Sequence, residues 1–292
     1  MTHTIFSLPV VNQISPYLSQ RQLGELPVIA INHPLFRAAV TLQGAQLIAW
    51  QPNGEAPAIW LSEKSAFSPG KAIRGGVPIC WPWFGPAGEP AHGFARRLPW
   101  TLSAHDENDQ NVMLTFVLES SEQTKKLWPH DFTLFARFRI GERCEIELEA
   151  HGDYTATAAL HTYFAVGDIN QTEVTGLGNT FIDKVKNGEN GTSDDGKQRY
   201  TQRVDRIYTQ PEDCSLINDA ANNRIIEVYH HYHQDVVTWN PGAELSCSMQ
   251  DMANDGYKTM VCVETASINQ PMKSAGETPA RLATTFRLRR KA

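Results

Sequence analysis

Residues 143–150 alternate between charged and apolar side chains, and this period of two constrains the fold more than any other feature of the chain. Residues 112–118 and 284–289 place their apolar side chains with the same spacing. Because neighbouring side chains of a β-strand point to opposite faces, such segments bury one face and expose the other. The pattern therefore predicts a protein built largely from half-buried β-strands.

Other segments also predict strands. Residues 36–42 and 45–50 flank the pair Gln43-Gly44, which predicts a β-hairpin. The remaining predicted strands are 132–140, 224–229, 235–239 and 258–264.

Helical patterns are few. Residues 121–128 are expected to form a short helix, with Ser120 and Gln123 placed as a capping box. Residues 186–198 are rich in glycine, asparagine and aspartate, which predicts a surface loop. Many strands, frequent turns and 17 prolines predict an all-β, sandwich-like fold that forms one domain over residues 1–292.

The composition excludes several classes of protein. Of the 292 residues 41 % are apolar and 20 % are charged, as in a globular protein, and the net charge of −6 argues against nucleic-acid binding. No apolar stretch is long enough to span a membrane, and Pro9 interrupts the N-terminal apolar run, which argues against a signal peptide. The five cysteines include no C-x-x-C pair, so we expect neither a disulfide framework nor a thiolate zinc site, and a cytoplasmic location.

The sequence contains neither a dinucleotide-binding G-x-G-x-x-G, nor a P-loop, nor a G-x-S-x-G nucleophile motif. His230, His231 and His233 suggest a metal site, because His231 and His233 are expected to share a strand face. A metal site needs further ligands that the sequence does not provide, so an exposed strand end is the favoured interpretation and no metal is expected.

The segment 73–100, IRGGVPICWPWFGPAGEPAHGFARRLPW, contains too much glycine and proline to be a regular strand or helix throughout. Long ordered loops are often functional, and this one combines aromatic side chains with basic ones. The aromatic ones are Trp81, Trp83 and Phe84, and the polar ones are Arg74, His92, Arg96 and Arg97. Aromatic faces pack against sugar rings, and guanidinium groups bind phosphate or hydroxyl groups. A core loop with surface arginines is an equally good interpretation from composition alone.

Two apolar strands lead into a titratable residue. Residues 156–160 precede His161, and residues 260–263 precede Glu264. Strand ends often place an acid or a base in a cleft, although a lone histidine or glutamate at a strand end is more often only a surface group.

Four motifs together resemble the aldose 1-epimerase superfamily. They are LHTYF at 160–164, VCVETA at 261–266, IRGGVPICWPWFG at 73–85 and HGFAR at 92–96. Their order and spacing fit nearly the whole chain. The last two motifs, with VDRIY at 204–208, resemble more narrowly the glucose-6-phosphate 1-epimerase branch, the hexose-6-phosphate mutarotases.

The resemblance implies an all-β fold, a large twisted β-sandwich of the galactose mutarotase-like supersandwich type, with an open carbohydrate-binding cleft and no cofactor. It implies that His161 and Glu264 are catalytic. It also implies that four further residues bind the substrate, a hexose 6-phosphate: Arg74, His92, Arg96 and Asp205. Relatives of this branch carry a polar side chain near Ala91, so one family contact differs here. We expect a monomer that needs neither nucleic acid nor a membrane.

The implied reaction interconverts the α and β anomers of glucose 6-phosphate, and of related hexose 6-phosphates, by general acid/base ring opening and closure. From its ordinary pKa of ~4.3 Glu264 is expected to be ionised and to act as base. His161, with an ordinary pKa of ~6.5, is expected to act as proton donor after a modest upward shift. Three alternatives remain: a mutarotase for unphosphorylated aldoses, a non-catalytic sugar-phosphate-binding protein, and a metal-dependent hydrolase that uses the histidines at 230–233.

Overall fold

The computed structural model describes residues 2–291 and consists mainly of β-strands. The strands β1 to β22 are, in chain order, Val10–Gln13, Leu18–Leu23, Leu26–His33, Phe36–Thr41, Gln46–Pro52, Ile79–Cys80, Thr101–Glu107, Val112–Glu119, Phe132–Ile140, Arg143–Gly152, Tyr154–Leu160, Tyr163–Ala165, Thr172–Thr175, Thr180–Asp183, Glu189–Thr192, Gln198–Arg199, Val204–Tyr208, Cys214–Asp219, Arg224–His231, Asp235–Asn240, Met260–Ser274 and Ala280–Arg290. The helices α1 to α3 are Thr2–Ile5, Glu122–Leu127 and Gly242–Ser248. Short 3₁₀ turns cover Ala95–Arg97, Ile169–Gln171, Lys184–Lys186, Ala220–Asn222 and Gly256–Thr259.

The strands form three antiparallel sheets. Strands β1 to β5 make a meander in sequence order. A nine-stranded sheet has the order β16-β13-β18-β19-β22-β10-β9-β8-β7, and an eight-stranded sheet has the order β15-β14-β17-β20-β21-β11-β6, with β12 paired to β21. The prediction of an all-β sandwich is therefore confirmed.

The two large sheets pack face to face around one extensive apolar core. Phe164 of β12 meets Phe286 of β22 edge to face, with ring centroids 4.9 Å apart. Trp50 of the meander is fully buried in the same core and donates from its indole nitrogen to the carbonyl of Gly141, at 3.1 Å. Among the described residues no helix is long and apolar enough to cross a membrane.

The period-two segments all lie in the nine-stranded sheet, two of them at its centre in β22 and β10. Residues 143–150 lie in β10, and every apolar residue of that alternation is buried. Residues 112–118 lie in β8, and residues 284–289 lie in β22, which pairs directly with β10. The predicted hairpin at Gln43-Gly44 is present as β4 and β5.

Three local predictions need correction. The capping box is formed by Ser121 and Thr124, one residue later than predicted, because the Ser120 hydroxyl instead donates to the carboxylate of Asp131. The polar segment 186–198 contains the edge strand β15 as well as loop. The strand predicted at 258–264 begins at Met260 and continues to Ser274, since its polar residues stay paired between β20 and β11.

A buried ion pair on the nine-stranded sheet fixes the loop at residues 54–57 to that sheet. Arg224 and Asp219 are 1 % and 0 % exposed, and the guanidinium Nε lies 2.9 Å from the carboxylate. The same guanidinium donates to the carbonyls of Ala56, Pro57 and Ala165. Since Ala165 ends β12, this contact positions the strand that follows His161.

We predict that Arg224→Ala destabilises the protein by about 3–5 kcal/mol, because it leaves the carboxylate of Asp219 buried without its charge partner. Chemical denaturation monitored by tryptophan fluorescence measures the change. Arg290→Ala is the matched control, since Arg290 holds the same segment through Glu55 and Gly54 but is exposed. An exposed pair contributes only ~0–1 kcal/mol. Equal losses in the two variants would contradict the account.

Candidate functional site

The candidate site lies on the face of the eight-stranded sheet that points away from the shared core. Glu264 pairs with Val237, and Cys262 pairs with Trp239 and with Tyr163. Side chains directly opposite in an antiparallel pair lie on the same face of the sheet. The floor of the site is a small apolar cluster of Cys80, Ala159, Ile207, Val237 and Ala266. Glu264 thus lies in the middle of β21 on an apolar surface, where the sequence predicted a strand end.

The loop at 73–100 holds His161 by its backbone. The amide of His161 donates to the carbonyl of Pro78 at 3.0 Å, and the amide of Tyr163 donates to that of Gly76 at 2.9 Å. Gly76 has φ +68°, and a Cβ there would lie 2.4 Å from the carbonyl oxygen of Leu47. The second glycine of the RGG motif therefore permits the close approach that places His161 at the end of β11.

His161 and Glu264 lie together, as the resemblance implied. The imidazole Nε2 is 3.4 Å from the carboxyl Oε1, and the two residues are 7 % and 1 % exposed. Neither carboxyl oxygen of Glu264 has a hydrogen-bond partner, nor has Nδ1 of His161. Buried polar atoms are nearly always paired in folded proteins, so three unpartnered atoms at one place indicate a site prepared for a polar ligand.

Burial shifts the two pKa values in opposite directions. Loss of water raises the pKa of Glu264 well above its ordinary range; the carboxylate of Asp205 adds to this and the guanidinium of Arg96 opposes it. Loss of water lowers the pKa of His161 well below its ordinary range, and His92, Arg96 and Arg74 add to this. Burial thus favours the protonated carboxyl of Glu264 and the neutral imidazole of His161. The predicted ordinary pKa of Glu264 and the predicted upward shift of His161 are wrong in direction, because the sequence shows charge but not desolvation.

Arg74 is the more restrained of the two arginines that the resemblance implies bind the substrate. Its Nε and Nη2 lie 3.1 and 3.0 Å from Oδ2 of Asp251, and its Nη1 donates to the hydroxyl of Tyr163 at 2.9 Å. Burial disfavours its charge, but Tyr163 and Asp251 outweigh this and raise the pKa of Arg74. Its guanidinium is thus oriented by protein groups before any ligand binds.

Arg96 has more capacity for a ligand. Its Nη2 donates to the carbonyl of Ala91 at 2.9 Å, but its Nε is buried and unpartnered. The neighbouring Arg97 instead donates from Nε to the carbonyl of Gly70 at 2.7 Å. The 3₁₀ turn Ala95–Arg97 packs against Gly44. Gly44 has φ +75°, and a Cβ there would lie 2.7 Å from the carbonyl oxygen of Arg96. The structure therefore favours Arg96 over Arg97 for ligand binding.

His92 packs beside His161, with the ring centroids 5.5 Å apart, and its ring also contacts that of Phe84. Its Nδ1 accepts from the amide of Gly85 at 3.4 Å, which places the proton of the neutral ring on Nε2. Burial, with Arg96 and Arg74, lowers the pKa of His92 to about 3. His92 is therefore a neutral hydrogen-bond donor.

Asp205 lies on β17, where it pairs with Trp239 on the same face as Cys262. Burial raises its pKa, against the opposing charge of Arg203, whose Nη2 is 3.9 Å away. All six residues implied by the resemblance thus belong to this one region: His161 and Glu264 at its centre, with Arg74, His92, Arg96 and Asp205 linked to them by contact or by charge.

The aromatic platform differs from the prediction. Trp81 is fully buried among Phe94, Trp128 and Phe132, so it belongs to the core. Phe84 is partly buried and packs against the floor of the site. Trp239 replaces Trp81 beside the pair, with its ring 6.4 Å from that of His161.

Sequence reasoning missed two supporting residues. The ring of Tyr163 stacks on that of His161 at 4.8 Å with a 10° angle between the planes, while its hydroxyl accepts from Arg74. Tyr163 stands in the LHTYF motif, and that neighbourhood was the available signal. Asp251 orients Arg74 from a loop 177 residues away, and nothing in the sequence indicated it.

The histidines at 230–233 do not resemble a metal centre. His230 is buried, with Nδ1 2.7 Å from the hydroxyl of Thr265 and Nε2 3.0 Å from that of Ser215, and burial lowers its pKa to about 3. Strand β19 ends at His231, so the prediction that His231 and His233 share a strand face is wrong.

A broad cleft of about 1150 Å³ lies on the nine-stranded sheet and includes His230 and His231. It contains none of the six residues implied by the resemblance. Within it the guanidinium of Arg137 already pairs with the carboxylate of Glu147 at 3.3 Å. The eight-stranded sheet, with its unpartnered buried acid and base, is therefore the better candidate site.

Comparison with known proteins shows the family and the fold of this chain. The family described as aldose 1-epimerase matches residues 27–279. A protein of Escherichia coli K12, provisionally named glucose-6-phosphate 1-epimerase, is 56 % identical over 99 % of both chains. The crystal structure of a provisionally named mutarotase from Salmonella typhimurium is 55 % identical, covers 99 % of both chains and superposes with a TM-score of 0.97. A galactose mutarotase-like protein of Clostridium acetobutylicum, 12 % identical over 94 % of this chain and 99 % of its own, shares the fold with a TM-score of 0.72.

We predict that Glu264→Gln stabilises the protein, increasingly so as the pH rises above about 4. In the unfolded chain Glu264 ionises near its ordinary pKa of ~4.3, whereas in the folded protein it stays protonated to a higher pH. The wild type therefore loses stability with rising pH in that window, and the amide does not. Thermal unfolding measures the gap in stability between the variant and the wild type, since Tm changes by ~2–4 °C for each kcal/mol in a chain of this size. The exposed Glu142→Gln is the control. A gap that stays constant with pH would contradict the raised pKa.

Proposed function

This chain belongs to the aldose 1-epimerase family, and from that premise we propose that it is a hexose-6-phosphate mutarotase that interconverts the α and β anomers of glucose 6-phosphate and related hexose 6-phosphates. The observation that carries the proposal is the buried His161–Glu264 pair, beside guanidinium groups suited to an anion. Nε2 of His161 lies 3.4 Å from Oε1 of Glu264, and neither Nδ1 of the imidazole nor the carboxyl oxygens have a hydrogen-bond partner. The name of the Escherichia coli relative agrees with this substrate, and that of the Salmonella typhimurium structure agrees with the reaction.

Mutarotation needs two proton movements and no redox chemistry. A base takes the proton of the anomeric hydroxyl while an acid protonates the ring oxygen, and the bond between C1 and that oxygen breaks. The aldehyde turns about C1–C2, and the ring closes on its other face with the two roles reversed. One carboxyl and one imidazole, carrying a single proton between them, are sufficient for this exchange.

We propose that Glu264 takes the proton from the anomeric hydroxyl and that His161 delivers one to the ring oxygen. In this proposal the shared proton rests on Glu264 before the substrate binds, since burial favours the neutral acid and the neutral imidazole. Substrate hydroxyl groups provide the hydrogen bonds that burial removed, and a nearby dianionic phosphate stabilises imidazolium. Substrate binding thus moves the proton across the 3.4 Å gap and prepares the pair for reaction.

The remaining residues hold the sugar. The neutral ring of His92 donates to a hydroxyl group, Asp205 accepts from one, and Trp239 offers an apolar face beside the pair. Arg96, with its buried and unpartnered Nε, binds the phosphate, and Arg74 supports it from a fixed orientation. Such alignment matters because small displacements strongly reduce the rate.

The structure weighs against two alternatives. A sugar-phosphate sensor would not need an acid and a base buried without partners, an arrangement that costs stability. A mutarotase for free sugars would not need an arginine whose Nε is buried without a partner, as that of Arg96 is. The proposal also includes a monomeric, cytoplasmic protein that uses no cofactor, and its five free cysteines suit a reducing compartment.

We predict that Glu264→Gln and His161→Asn each lower the rate of anomer exchange by about 100- to 10,000-fold, the usual contribution of a general acid or base. NMR exchange spectroscopy on glucose 6-phosphate measures the rate, with circular dichroism to confirm the fold. Glu142→Gln, a control on the exposed surface, should keep wild-type turnover. Turnover near the wild-type rate in either site variant would remove that residue from the chemistry.

We predict that Arg96→Ala raises KM for glucose 6-phosphate by roughly ten- to a hundredfold with little change in kcat, because a charge-assisted hydrogen bond is worth ~1.5–3 kcal/mol and the phosphate is unchanged in the reaction. Exchange of free glucose should hardly change. Arg97→Ala, in the same turn but bonded to Gly70, is the matched control and should leave both substrates unaffected. Equal losses on glucose and glucose 6-phosphate would show that Arg96 serves the ring or the fold.

A further inference from the structure

Cys262 has no part in the proposed proton transfers, yet its sulfur lies beside the acid–base pair. A ring nitrogen of His161, Sγ of Cys262 and a carboxyl oxygen of Glu264 all lie within 4.8 Å of one another. Cys262 and Glu264 are two residues apart on β21, so their side chains share one face. His161 meets them from the end of β11.

We propose that these three side chains form a binding site for a borderline divalent cation, Zn²⁺ foremost, and that an ion bound there inhibits the enzyme. Thiolate, imidazole and carboxylate are the ligand types of zinc, whereas calcium and magnesium prefer oxygen alone. On binding, the thiol of Cys262 and the carboxyl of Glu264 release their protons to solvent, and the neutral imidazole donates a ring nitrogen lone pair.

The geometry is close to that of a three-ligand zinc site. Zinc bonds of about 2.0–2.3 Å place tetrahedral donors about 3.3–3.8 Å apart, so the donors need to approach by about an ångström. Both oxygens of Glu264 have no hydrogen-bond partner, so coordination by this carboxylate breaks few existing contacts. His161 is 7 % exposed, against 1 % for Glu264 and 0 % for Cys262, which marks the side from which an ion enters.

The surrounding charges limit the affinity without preventing binding. The guanidinium groups of Arg74 and Arg96 repel a cation, but Asp251 pairs with Arg74 at 3.0 Å. Asp205, on the same face of the sheet, places a further carboxyl group in the region, which attracts a cation when it is ionised. The site is therefore suited to reversible binding, in which free zinc and the sugar phosphate compete for the same pair.

Binding and inhibition are separate claims. The binding of the ion rests on Cys262, His161 and Glu264 alone. The inhibition rests on the proposed function, because it requires that His161 and Glu264 carry the reaction. The experiment therefore measures binding without substrate as well as turnover.

Cobalt(II) is titrated into the reduced protein, and thiolate-to-cobalt charge transfer is followed in the near ultraviolet, with Zn²⁺ as competitor. We expect a band that zinc displaces, and a loss of affinity of at least roughly tenfold in both Cys262→Ser and Cys262→Ala. Cys80→Ser, a buried thiol of the site floor, and Cys247→Ser, an exposed thiol, serve as matched controls that keep the band.

Turnover of glucose 6-phosphate is measured in parallel, each variant being compared with its own zinc-free rate. Zinc should inhibit the wild type, a chelator should reverse this, and both Cys262 variants should resist it. Absence of the band, or its loss on substitution of Cys80 or Cys247 and not of Cys262, would overturn the zinc site. A zinc-displaceable, Cys262-dependent band in a protein without anomer exchange would support the site and contradict the proposed function instead.

Discussion

The arrangement of the site depends on the burial of one carboxyl group and one imidazole that lack hydrogen-bond partners. Burial of an unpaired polar group costs stability, and the molecule reduces this cost by keeping both groups neutral. Burial raises the pKa of Glu264 and lowers that of His161 next to an apolar floor, and in the proposed mechanism the pair shares a single mobile proton. A substrate provides hydroxyl groups and a negative charge, which replace the interactions that burial removed and favour the charged forms of the two groups. The burial that costs stability therefore also makes the protonation of the pair sensitive to substrate binding.

Two parts of the fold maintain that arrangement. The eight-stranded sheet places Glu264 in the middle of a long strand, where pairing with β20 restrains its backbone and the apolar cluster below excludes water. The loop at 73–100 bonds to the backbone of His161 and supplies Arg74, His92 and Arg96 on the open side. A rigid sheet thus provides the buried acid, and an irregular but well-anchored loop provides the groups that meet a ligand. Tyr163 and Asp251 connect the two parts, since both contact Arg74.

The sequence predicted well those features that depend on local pattern. The alternation at 143–150 and the Gln43-Gly44 turn gave the strands and the hairpin because each reflects one-sided burial or a turn that glycine permits. The motifs grouped six residues, and the structure places all six in one region: His161, Glu264, Arg74, His92, Arg96 and Asp205. Features that depend on contacts between distant residues could not be predicted from the sequence. The partner of Arg74 is far along the chain, and Trp81 belongs to a core assembled from several elements. The pKa directions also required the structure, since desolvation depends on what covers a group.

The most direct measurement is the protonation state of Glu264 itself. Glutamate carboxyl carbons are labelled with carbon-13, the resonance of Glu264 is assigned by its absence in Glu264→Gln, and its chemical shift is followed against pH with and without glucose 6-phosphate. The account predicts a protonated carboxyl at neutral pH in the free protein and a shift towards carboxylate when the sugar phosphate binds. A resonance that titrates near the ordinary pKa of ~4.3 in both states would contradict it.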